Sequence, residues 1–156
     1  MSALSFSRSK LVAVERSSEN ILKAHGVLDD YIYGMEIDVE VNLSDFKIIT
    51  IGGKINRVTT SECHRALTVL PNAIGMAITE RDFPRTINRI IGRAGCLHLG
   101  NLLVECCDSI LQAAIFSDLE KSGFKYMELN ASQYAIASVA TIPGLKNSCL
   151  AYSADQ

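Results

Sequence analysis

The chain is short of several things, and each shortage removes a class of function. No stretch approaches the roughly 20 apolar residues that a membrane-spanning helix needs. Met1 to Ser7 alternates polar with apolar residues instead of forming the apolar run of a signal peptide. There is no excess charge: 15 Lys and Arg against 17 Asp and Glu leave a net charge of −2, so nothing in the charge balance points to nucleic acid or an anionic membrane surface. The five cysteines are an odd number, and Cys106 and Cys107 are adjacent, a poor basis for a disulfide framework. No repeat, low-complexity tract or linker interrupts the 156 residues. Residues 1–156 therefore read as one cytoplasmic domain, large enough to bury about two-thirds of its unfolded surface. Gly52-Gly53 lacks the Lys-Ser or Lys-Thr that would follow in a phosphate loop.

What is present is an ordered change of hydrophobic period. Met35, Ile37, Val39 and Val41 alternate with Glu36, Asp38, Glu40 and Asn42, the period of two of a half-buried strand. Asn42 to Asp45 supplies a turn, and Phe46 to Arg57 a second strand with Gly52-Gly53 as its expected bulge or bend. Ile21 to Leu28 and Lys10 to Arg16 add two more strands upstream. Short links between consecutive strands imply an antiparallel meander of about four strands.

After Thr59 the period becomes helical. Thr60 or Ser61 is positioned to cap a short helix ending at Pro71. Thr79 is positioned to cap a second, whose buried stripe is Phe83, Ile87, Ile90 and Ile91 and whose stop is Gly92. A third runs from Cys96 or Leu97 to Lys121, with Ser122-Gly123 after it. Ala131 to Ala140 fits either a helix or a buried strand, and Pro143-Gly144 a turn. Strands followed by helices give an α+β fold, its sheet packed by the long helix and the shorter ones. Arg81, Arg85, Arg89 and Arg93, spaced by four, read as a solvated helix face, with anion binding the lesser reading. An edge strand such as Met35 to Val41 could pair across a homodimer. The sequence names no small-molecule or protein partner.

The chemistry-bearing residues gather around Gly95-Cys96-Leu97-His98-Leu99. Together with Cys63 and Cys149, Cys96 and His98 supply three sulfurs and one imidazole, the ligand number and type that zinc or an iron–sulfur cluster selects. The spacing is not the tight pairing of a zinc finger. A thiol at a helix N-terminus beside a histidine is also the arrangement of an activated nucleophile, which makes a metal-free thiol-dependent enzyme using Cys96 and His98 the alternative. Cys106 and Cys107 fit packing roles, and His25 a strand histidine satisfied or exposed. His64 on a helix points ~100° away from Cys63 and ranks below His98 as a ligand. Asp29 and Asp30 either form a turn or lean into a site.

Gly95-Cys96-Leu97-His98-Leu99, followed by Asn101-Leu102-Leu103, resembles the Gly-Cys-x-His-Leu signature of a bacterial family without an assigned activity, domain-of-unknown-function family 2889. The likeness takes in Gly26-x-Leu28-x-Asp30 or Asp29, a cysteine at the position of Cys63, and Ser148-Cys149 before the apolar-aromatic end Leu150-Ala151-Tyr152. It spans Ile21 to Tyr152. Leu150 stands where the family often carries histidine. The resemblance implies no reaction; it groups Cys63, Cys96, His98 and Cys149 as one site, with zinc its first expected occupant. At the level of architecture alone, strands then helices with Cys and His near a long helix, the chain is similar to iron–sulfur scaffold proteins.

Overall fold

A computed structural model describes residues 5–123 and 130–153. Its four strands are β1 (Arg8–Ser18), β2 (Ile21–Asp30), β3 (Gly34–Asn42) and β4 (Lys47–Arg57). They form one antiparallel sheet in the order β1-β2-β3-β4, the meander the hairpin links demand. The edges are therefore β1 and β4, and Met35 to Val41 lies inside the sheet. A dimer through strand pairing would have to use β1 or β4 instead. Alternation sends Leu22, Ala24, Leu28, Met35, Ile37, Val39 and Val41 to one face, all buried. On the other face of β2, His25 meets Asp38 of β3, Nδ1 to Oδ1 at 3.2 Å.

β4 starts at Lys47 because Phe46 is left-handed, with φ of 53°, and belongs to the turn in which Asn42 and Asp45 side chains accept the N–H groups of Ser44 and Lys47. The bulges fall at Ile49 and Asn56, where the β3–β4 register slips. Gly52 and Gly53 pair regularly with Asp38 and Ile37, so the expected bulge is not there. Gly53 answers a different need: a Cβ would sit 2.8 Å from Leu70 Cδ1, on the helix that covers this strand.

That helix, Ser61–Ala73, is 3-10 and runs through Pro71. The next element is shorter than the stripe suggests. α1 (Phe83–Ile87) begins with Pro84 in its first turn, a position where its missing N–H costs nothing. The chain then widens into a π-helical turn over Asn88–Arg93. Phe83, Ile87 and Ile91 are buried as the periodicity requires; Ile90 is half-buried.

α2 (Leu97–Lys121) lies across the inner face of the sheet and stops at Gly123, φ 80°. By length and composition it could cross a membrane. Here that apolar surface is packed against the fold: Leu99, Leu102, Leu103, Cys106, Cys107, Ile110 and Ile115 are all buried. Burial pushes the Cys106 thiol up to about 12, with Asp38 and Glu105 adding to it, and raises Cys107 further. Both are packing cysteines. α3 (Ala131–Thr141) is a helix, started by a reciprocal Asn130–Gln133 capping box. Of the two readings, helix or buried strand, the helix is the one observed, with Ile136 72% exposed.

The tightest point of the α2–sheet contact is Gly26. Any Cβ there would overlap Cys106 Sγ and press on Leu102. Gly26→Ala should cost about 1–3 kcal/mol by overpacking. Adding Cys106→Ala should recover part of that loss in urea unfolding. Simple additivity of the two changes would show that the contact does not govern the site.

Candidate functional site

The site is built on the β2–β3 turn. Alternation along β2 turns Asp30 inward, in line with Leu22, Ala24, Gly26 and Leu28, and it is 6% exposed. Its Oδ1 accepts the N–H groups of Ile32 and Tyr33, both at 2.6 Å, and its Oδ2 accepts Arg8 Nε at 2.6 Å. An aspartate taking N–H bonds from the next residues is an Asx turn, closed here by Asp30 N–H donating to Tyr33 O at 2.8 Å. Arg57 of β4 grips the outside of the same turn, donating to Asp29 Oδ1 and to the carbonyls of Asp30 and Tyr33. Burial alone would raise the Asp30 carboxyl. The Tyr33 N–H, Arg8 and the Ile32 N–H outweigh it and hold the group below its ordinary 3.8.

This framework aims Tyr33 at the start of α2. Its ring centre lies 4.4 Å from that of His98, tilted by 39°. His98 is the second residue of α2, and Cys96 occupies the N-cap position with extended backbone, φ −141°. Cys96 is held by its backbone: its N–H donates to Ile91 O and its carbonyl accepts from Gly100 N–H, each at 3.0 Å. The approach of α2 to the π turn is glycine on glycine. A Cβ on Gly100 would lie 3.1 Å from Gly92 N. The half-buried Cys96 thiol is left to face His98, with Sγ 4.0 Å from Nδ1. His98 is shifted below its ordinary 6.5 by burial first, then by the charge of Arg8 and, more weakly, Lys10; Asp30 opposes this in part. The imidazole is therefore neutral at neutral pH and able to accept a proton.

Of the four residues grouped as a metal site, the fold brings together only two. Among the described residues no three His, Cys, Asp or Glu side chains gather closely enough to hold a metal ion. Cys63 lies in the first turn of the 3-10 helix, its Sγ 3.6 Å from Thr60 Oγ1. Cys149 is exposed, before the short Leu150–Tyr152 turn that packs on α3. A closed tetrahedral site needs four donors around one point, and here a thiol and an imidazole stand without further ligands. Among the described residues, Cys63, Cys96, His98 and Cys149 therefore do not form the expected zinc site, nor its iron–sulfur alternative. Asp29 and Asp30 resolve as both turn formers and site framework. Arg8, Tyr33 and Arg57 were not picked out from the sequence. The signal for them was the aspartate pair followed by Tyr31-Ile32-Tyr33-Gly34, a turn whose inward carboxylate requires a cation from a neighbouring strand.

A family model described as "Protein of unknown function (DUF2889)" matches residues 9–112, from β1 to the middle of α2. The Ser148-Cys149 end lies beyond that match. No curated protein and no solved structure matches the chain significantly.

Two titrations test the framework. The Asp30 carboxyl is depressed in the folded state, so between the two pKa values the unfolded chain binds more protons and stability rises with pH. The contribution is complete above 3.8 and is lost as pH falls through the lower folded value. Urea midpoints of Asp30→Asn should be lower at neutral pH and fall less steeply in acid than those of the parent; equal acid slopes would refute the assignment. By NMR, His98 should titrate below 6.5, and Arg8→Ala should move it part of the way back. A midpoint at or above 6.5 in the parent would contradict the site's electrostatics.

Proposed function

We propose that this chain, which belongs to the family of unknown function that its residues 9–112 match, is a single-domain cytoplasmic protein acting as a thiol-dependent enzyme through Cys96 and His98. The observation that carries this reading is the 4.0 Å approach of Cys96 Sγ to His98 Nδ1 at the N-terminus of a 25-residue helix. Cys96 is the nucleophile. Its thiol proton passes to His98 Nδ1 as sulfur bonds to an electrophilic carbon of the substrate, and His98 returns that proton to the leaving group. The unpaired first-turn N–H groups and the helix dipole favour negative charge on an oxygen developing beside the sulfur. Tyr33 holds the imidazole from one side, and burial, helped by Arg8 and Lys10, keeps it neutral and ready to accept. All five cysteines are free thiols, which suits a reducing compartment.

The other cysteines make the test internal. Cys149 is exposed and Cys106 and Cys107 are buried. Under iodoacetamide at neutral pH, site-resolved mass spectrometry should show Cys96 alkylated about tenfold faster than Cys149 despite its lower exposure, as expected for a base-assisted thiol. His98→Asn should bring Cys96 down to the Cys149 rate without changing Cys149. Equal rates in the parent, or a Cys96 rate untouched by His98→Asn, would defeat the proposal.

A further inference from the structure

We infer that the arginine-lined cleft beside α1 and the π turn is a binding site for a small molecule carrying a chain of phosphates. The cleft has a volume of about 790 Å3 and is lined by Asp82, Pro84, Arg85, Thr86, Asn88, Arg89 and Arg93. That size lies in the range of small-molecule sites. Its three arginines are exposed, and none has an ion pair or side-chain hydrogen bond among the described residues; nor does the Asn88 amide. Asp82 is the one carboxylate in the lining. Like charges four residues apart repel one another on a helix. In a chain of net charge −2, this stripe is a local reversal of sign that no ion pair among the described residues neutralises.

The backbone keeps the stripe straight. In an α-helix a residue four positions on overshoots one turn of 3.6. In the wider π turn it undershoots. Arg85 to Arg89 crosses from α1 into the π turn, and Arg89 to Arg93 lies within it, so the two drifts oppose each other and the three guanidinium groups stay on one side. Eight residues at the α-helical rise span about 12 Å, longer than one phosphate and suited to two or three in a row. Guanidinium forks match phosphate oxygens in pairs. The Asn88 amide and Thr86 hydroxyl supply neutral donors beside them. Gly92 leaves room for Asn88, whose Oδ1 lies 3.3 Å from where a Cβ would stand.

The test uses the full chain and inorganic tripolyphosphate, pyrophosphate and phosphate, titrated calorimetrically in physiological salt. Tripolyphosphate should bind saturably at one site per chain and more tightly than phosphate. Arg89→Ala should weaken it at least about tenfold, with the circular dichroism unchanged. Arg65→Ala, at an arginine paired with Glu62 on the 3-10 helix, should not. Absence of saturation at millimolar tripolyphosphate, or equal binding by Arg89→Ala, would overturn the assignment. So would tighter binding to a single-stranded oligonucleotide or to anionic vesicles than to tripolyphosphate, since either would make the stripe a macromolecular or lipid surface.

Discussion

Where α2 meets β2 at Gly26, the backbone of the strand comes so close that no side chain fits, and this one contact sets the register of the rest. The helix runs antiparallel to β2. Lys10 Nζ reaches Glu105 at 2.9 Å near one end of β1, and Arg16 Nη2 reaches Ser117 Oγ at 2.7 Å towards the other. From Gly26 to Asp30 is four residues, about 13 Å along a strand. From Cys106 back to His98 is eight residues, about 12 Å along a helix. The two paths end together, which is why the field of Asp30 and Arg8 is felt at His98. A shift of one helical turn at Gly26 would carry His98 away from Tyr33 and leave the Asp30 framework with nothing to position.

The same packing sorts the cysteines into different chemical states. Cys106 and Cys107 are pressed between helix and core, where burial makes the thiolate inaccessible. Among the described residues, Cys63 has Thr60 Oγ1 against its sulfur and Cys149 is exposed. Cys96 alone pairs a half-buried thiol with an imidazole and a long helix N-terminus. The metal reading failed because it counted donors without a way to place them. Cys63 and Cys149 belong to segments whose approach to α2 depends on how the covering helices dock, and no local pattern encodes that.

The strands were legible because each carries its own period and the turns between them are short; all four stand within a few residues of expectation. α2 was legible for the same reason. The errors fell where glycine and helix type depend on a neighbour. Gly52-Gly53 looked like a bulge because glycine weakens a strand, yet Gly53 is there to admit Leu70. The change from α to π at Asn88 has no counterpart in the Phe83, Ile87, Ile91 stripe, which a spacing of four serves in either geometry. Of the site, Cys96 and His98 were legible from their position at a helix start. Arg8 and Arg57 were not, because each reaches the turn from another strand through pairings, Arg8 with Asp30 and Arg57 with Gly34, that exist only once the sheet has formed.

The position of Cys96 carries an argument of its own. An N-cap residue with a short oxygen-bearing side chain stabilises a helix by roughly 1 kcal/mol by accepting one of its free N–H groups. The helix at stake is the longest in the chain and the one that closes the core. Cys96 holds that position without making a side-chain cap, while its backbone is tied at both ends to Ile91 and Gly100. Serine or aspartate would fit the same extended backbone and supply the missing bond. A cysteine there forgoes stability at the point where the fold would gain most from a better cap, and it does so with the thiol turned to an imidazole whose basicity is set by burial first and then by three strand residues. Cys96 is half-buried and packs against the core, yet serine or aspartate would fill a similar volume, and the reactivity proposed for its sulfur is what those residues would not supply.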